Sequence, residues 1–142
     1  RYKDRLESHH RVFALNFAMG VLSYGKKNYG KALEYLSKIN IEYSARKQQV
    51  KNLMLVIYCE TGALENALSI IDTSRHSLKN DKQIPEERKD TFLKFLTYAN
   101  MFIKVKLDPE RSDAGILKKK LEGTGYFAYK DWLLEKVEEL LI

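Results

Sequence analysis

The sequence predicts an all-α chain: an α-solenoid of stacked antiparallel helix pairs, about seven helices in all, with the last acting as a C-terminal cap. Three observations predict this. Apolar residues recur at helical spacing along most of the chain, whereas β-branched runs joined by two-residue hairpin turns are missing. The helices alternate in character, the first, third and fifth being apolar over most of their circumference and the second, fourth and sixth carrying a narrower stripe. A helix apolar nearly all round must be covered on two sides, and stacked pairs cover their inner helices in that way. Finally, Tyr29-Gly30-Lys31-Ala32-Leu33-Glu34-Tyr35-Leu36 and Leu64-Glu65-Asn66-Ala67-Leu68-Ser69-Ile70-Ile71 share one pattern, large–x–x–Ala–Leu–x–x–large, with the two alanines 35 residues apart.

The first helix is expected over Leu6–Gly25, with Phe13, Leu15, Phe17, Ala18, Met19, Val21 and Leu22. The second covers Tyr29–Ile39, with Ala32, Leu33, Leu36 and Ile39 on one stripe. The third runs from Ser44 to Thr61 and stops at Gly62, a residue suited to the left-handed position that ends helices. The fourth covers Leu64–Leu78 and exits at Asn80. The fifth opens with Pro85-Glu86-Glu87, proline fitting the first helical position and acids complementing the helix dipole. It carries Phe92, Leu93, Phe95, Leu96, Ala99, Phe102 and Ile103. The sixth is expected to open in the same way, with Asp108 as N-cap followed by Pro109 and Glu110, and to fade at Gly123-Thr124-Gly125. A seventh covers Tyr129–Leu141, with Trp132, Leu133, Val137 and Leu140 on its dry side. The expected organisation is one domain over 1–142, with pairs at about 6–40, 44–80 and 84–123 and a cap at 127–142.

Composition bounds the function. The chain has 142 residues, 44% hydrophobic and 31% charged, enough apolar material for a core and no signature of disorder. The longest apolar run, Leu53 to Cys59, is far short of the roughly 20 residues a membrane-spanning helix needs. A single cysteine, Cys59, excludes an internal disulfide and any multi-cysteine metal site, and inside that run it reads as a small buried hydrophobe. Residues 1–52 hold 11 basic and 4 acidic side chains, the remainder 14 and 15, so the net charge of +6 belongs to the N-terminal third. Such a surface attracts acidic protein, nucleic acid or anionic lipid alike. The start, Arg1-Tyr2-Lys3-Asp4-Arg5, is charged with no apolar segment at once behind it, so no secretory signal is legible and a cytoplasmic location is expected. The missing initial Met suggests a fragment or processed piece of a longer protein, and the cap-like amphipathic last helix suggests its C-terminal part.

A repeat near 34 residues built of helix–turn–helix units marks tetratricopeptide-type repeats, and residues 12–80 resemble two of them. Gly20 matches the family's small inner-helix residue, and Tyr58, Gly62 and Ala67 match its tyrosine, turn glycine and close-contact alanine. The small residue lets the second helix of a pair approach the first. Lys27 stands where the turn glycine usually is and Ser23 where the tyrosine would be; no tryptophan opens a unit and no proline closes one. The resemblance implies a non-catalytic protein–protein interaction scaffold that binds a protein or peptide on the face lined by the inner helices. Some members grip a C-terminal carboxylate with a Lys and Asn clamp; here Phe17, Val21 and Leu53 occupy corresponding places, so that clamp is not expected. Helical phase puts Tyr24, Asn52, Asn100 and Lys104 on the exposed side of such a groove. An uncovered Phe17 or Leu96 would point to a helical or extended apolar ligand, although both also read as ordinary core.

Chemistry is scarce. Asp72 and His76 are one turn apart on a helix, but Ser74 between them points away, so no local triad forms. His9 and His10 point about 100° apart and, even with Glu7, make a poor chelate. Glu86-Glu87 is a helix start and Glu138-Glu139 a wet face, and Gly123-Thr124-Gly125 lacks the lysine and helix of a phosphate loop. No enzyme activity, metal or cofactor is expected. The alternative reading is RNA binding by the basic first repeat. There Tyr24, Lys26, Lys27, Tyr29 and Lys31 interleave aromatic and basic groups, with Arg46, Lys47 and Lys51 nearby in sequence. Lys118-Lys119-Lys120 reads as a solvated face.

Overall fold

The computed structural model describes residues 2–40 and 44–142. Among them are seven helices and no strand: α1 (Tyr2–Gly25), α2 (Tyr29–Ser37), α3 (Ser44–Thr61), α4 (Leu64–Asn80), α5 (Glu86–Leu107), α6 (Ala114–Gly123) and α7 (Lys130–Leu140). The chain is all-α, as its periodicity predicts. It divides into two compact units, Arg1–Ala67 and Leu68–Ile142, with α4 running through the division.

In the first unit α1 and α2 form a tightly packed hairpin, and α3 packs on both. Their core is Ala32, Leu36, Val50, Leu53 and Ile57, flanked by Phe13, Phe17, Tyr24, Tyr29, Leu33, Ile39 and Met54. Close approach of α1 to α2 depends on Gly20. A Cβ there would lie 2.9 Å from Leu36 Cδ2 and 3.7 Å from the carbonyl oxygen of Ala32. The small residue matched by resemblance is therefore a point of helix contact, and Ala32 opposite it is wholly buried.

The repeat extends to the backbone hydrogen bonds. At the end of α1 the amide of Asn28 donates to Ser23 O (2.8 Å) and that of Lys27 to Tyr24 O (2.9 Å). At the end of α3 the amide of Ala63 donates to Tyr58 O (2.9 Å) and that of Gly62 to Cys59 O (3.4 Å). Both are the paired bonds of a left-handed helix stop, and Lys27 and Gly62 hold positive φ of 61° and 78°. Lysine thus adopts the conformation for which glycine is best suited. An L-residue in that region costs about 1–2 kcal/mol, so Lys27→Gly should raise stability by about 1 kcal/mol. The check is an upward shift of the urea midpoint with no change in slope.

In the second unit α5, α6 and α7 pack against one another. Phe92, Phe95, Leu96, Ala99, Phe102 and Ile103 of α5 are buried, with Leu117 and Leu121 of α6 and Leu133 and Val137 of α7. Phe127 is fully buried although it lies in the irregular segment before α7. Its ring stacks on Tyr98 at 5.7 Å and tilts against Phe95 at 6.5 Å. Tyr129 is the N-cap of α7 and holds φ 72°, its ring 5.3 Å from Phe95, and burial pushes its phenol pKa up. The chain between α4 and α5 is tied by Asp81, whose Oδ1 accepts from the amides of Gln83 (2.7 Å) and Ile84 (2.9 Å). The buried Lys89 donates to Asp81 O at 2.6 Å.

Several expected boundaries move. The first helix starts at Tyr2 rather than Leu6, and the second stops at Ser37. Pro85 is the N-cap rather than the first helical residue. The sixth helix begins at Ala114, not after Asp108, because Asp108 serves a turn instead. Its carboxylate accepts from the amides of Glu110 (3.1 Å) and Ser112 (3.3 Å) and from Ser112 Oγ (3.0 Å). Aspartate bonding locally to its own backbone competes with helix initiation, and Arg111 at φ 51° completes the turn. The amide of Glu110 first, then Ser112, holds the Asp108 carboxyl below the ordinary aspartate value.

Candidate interaction surface

Of the four residues placed by helical phase in a groove, one is exposed. Lys104 faces water, Tyr24 and Asn100 are half-buried, and Asn52 is only 2% exposed. Asn52 corrects the phase argument: its Oδ1 accepts from Gln48 Nε2 at 2.9 Å, one turn earlier on α3, and both side chains are interior. The bond gives each amide a polar partner inside the helix, which offsets part of the cost of burying it. Tyr24 tilts against Tyr29 at 6.0 Å. Phe17 is half-buried and stacked on Phe13 at 5.4 Å, and Leu96 is fully buried. Leu96 is therefore core.

In the first unit, among the described residues, the exposed large hydrophobic side chains all lie on α1. Leu15 is 63% exposed, Leu22 50%, Val12 49% and Val21 44%, and Ala14 and Ala18 are exposed with them. Arg11, Ala14, Leu15, Ala18, Leu22 and Gly25 recur at three- and four-residue steps and form one stripe, flanked by Val12 and Val21. The opposite stripe, Phe13, Phe17, Gly20 and Tyr24, turns inward to the core of the unit. The sequence shows α1 to be apolar over most of its circumference; among the described residues, only the Phe13–Tyr24 side is packed.

The six basic candidates do not form one cluster. Lys26, Lys27 and Lys31 are exposed around the α1–α2 turn. That turn lies beside the end of α3, where Tyr29 Oη donates to Glu60 at 3.4 Å. Arg46 and Lys47 are at the other end of α3, about 20 Å from Glu60 at 1.5 Å rise per residue. Two exposed charge groups that far apart are screened from each other in physiological salt. Arg46 is also engaged: its Nη1 donates to His10 Nδ1 at 2.6 Å and its guanidinium lies 4.9 Å from the Phe13 ring. Lys51 is half-buried, and burial first, then neighbouring Lys47, pulls its ammonium pKa down.

The other clusters separate as well. Ser74 is buried with its hydroxyl unpartnered, while Asp72 and His76 are exposed, so the three do not face one another. Among the described residues no three His, Cys, Asp or Glu side chains come together to hold a metal ion, and no helix is long and apolar enough to cross a membrane. In the second unit a cleft of about 390 Å³ opens between α5 and α6. Its apolar floor includes Met101, Val105 and Leu117, and its rim mixes Lys104 and Lys120 with Asp108 and Asp113. Balanced charge around that rim favours no single ligand class.

Compared with known proteins, the chain matches no family model, no curated protein and no solved structure.

Proposed function

We propose that the chain is a non-catalytic protein-interaction module. In this reading it is a tetratricopeptide-like stack of helix hairpins that binds a protein or peptide on the face to which α1 contributes its uncovered stripe. The observation that carries the proposal is that stripe with its flanks: Leu15 and Leu22 at 63% and 50% exposure, bordered by Val12 at 49% and Val21 at 44% on either side. Contiguous exposed apolar surface is characteristic of interaction sites. The hairpin-stack reading draws support from the two helix stops at Lys27 and Gly62, which share their hydrogen-bond pattern at the spacing that also separates Ala32 from Ala67. Shape and dry surface, rather than reactive groups, are what such a module offers.

The test is selection of binders from a random peptide library on the purified chain. Selected peptides should be rich in apolar residues and lose at least about tenfold in affinity against Leu15→Glu/Leu22→Glu, since two desolvated contacts at about 1–3 kcal/mol each disappear. Affinities unchanged by that variant would overturn the assignment of the surface. Tight capture of random single-stranded RNA, weakening steeply with salt and abolished by Lys26→Ala/Lys27→Ala/Lys31→Ala, would overturn the protein-binding reading itself.

A further inference from the structure

Resting on that reading, we infer that the occupant of the α1 stripe is the α1 stripe of a second copy, laid antiparallel. The argument comes from what stands at the two ends of the stripe and at its middle. Glu7 lies on the same side of α1 near its start, and Lys26 follows its end; both are exposed. The rows Glu7, Arg11, Leu15 and Ala18, Leu22, Lys26 each step by four residues, so they are two ridges on one face.

Turn a second α1 end over end and these ridges complement each other. Leu15 falls opposite Ala18 of the other copy, large against small, and the small residue lets the helices close up. Arg11 falls opposite Leu22, where its aliphatic stem can lie on the leucine while the guanidinium stays wet. Glu7 falls opposite Lys26. Two-fold symmetry repeats every one of these pairings, as an isologous contact requires. A parallel copy would instead put Glu7 beside Glu7 and Lys26 beside Lys26. Antiparallel helices also oppose their dipoles favourably. A single stripe thus supplies both halves of its own complement.

Sedimentation velocity from low to high micromolar concentration tests the pairing. The unmodified chain should show a monomer–dimer equilibrium, and Leu15→Glu/Leu22→Glu should be monomeric throughout with an unchanged far-ultraviolet spectrum. Glu7→Lys and Lys26→Glu should each weaken the dimer about tenfold, because each change turns two attractions into two repulsions. Combining them should restore the parent affinity, which no effect on folding would do. A chain that remains monomeric at the highest concentration overturns the inference, as does a dimer indifferent to the swaps. If that monomer still binds selected peptides through Leu15 and Leu22, only the pairing falls and the interaction reading stands.

Discussion

Truncating Phe127 to alanine should destabilise the second unit by about 3–5 kcal/mol, the usual cost of deleting a fully buried aromatic ring. The ring is wholly inaccessible and lies between Tyr98 and Phe95. Its loss removes transfer free energy and leaves a void against Phe95, the ring on which Tyr129 with its left-handed backbone also rests. That conformation costs an aromatic residue about 1–3 kcal/mol and persists only where its surroundings enforce it. Against a total stability of about 5–15 kcal/mol for a chain of this kind, the effect is large. Trp132 is the sole tryptophan and meets Phe102 edge-on at 6.4 Å, so its fluorescence reports this unit selectively. The urea midpoint followed by Trp132 should fall sharply in Phe127→Ala. Phe127→Leu, which keeps most of the volume, should lose much less. Equal losses would mean that the ring's shape, rather than its burial, is what the segment needs.

Phe127 also shows where reading the sequence stops. It sits among Gly123, Thr124, Gly125 and Tyr126, where no 3.6-residue period exists to mark a buried face, so only tertiary packing reveals it. The helices themselves were legible, because their burial repeats at a period the chain displays. Boundaries failed where a side chain had two uses. Asp108 followed by Pro109 satisfies the grammar of a helix start, yet the same carboxylate closes a turn with Ser112. Asn52 failed for a related reason: phase treats an amide as a surface group, and nothing in a linear pattern shows that Gln48 one turn away will donate to it inside the core. For the interaction surface, the sequence gives the apolar girth of α1 but not which neighbours exist to cover it. Charge clustering misled in a different way, since Lys31 and Arg46 are close in number but belong to opposite ends of antiparallel helices.

The α1–α2 contact yields the second large effect. Ala32→Leu should cost about 1–3 kcal/mol, because extra methylenes enter a closed interface. The same substitution at Ala14, which is exposed on α1, should change stability by no more than about 0.5 kcal/mol when measured on dilute monomer. Gly20 allows a finer dissection. Alanine inside a helix is favoured over glycine by about 1 kcal/mol, but here its Cβ meets Leu36 at 2.9 Å. In the parent chain the gain and the clash should nearly cancel. After Leu36→Ala, which itself costs about 2–5 kcal/mol, the clash is gone and Gly20→Ala should recover its full propensity gain. The interaction energy across this double-mutant cycle then measures close approach directly, free of the helix term common to both backgrounds. A cycle with no coupling, together with a harmless Ala32→Leu, would mean that the two helices are not held at the separation their small residues permit, and the hairpin would lose its basis as a repeating unit.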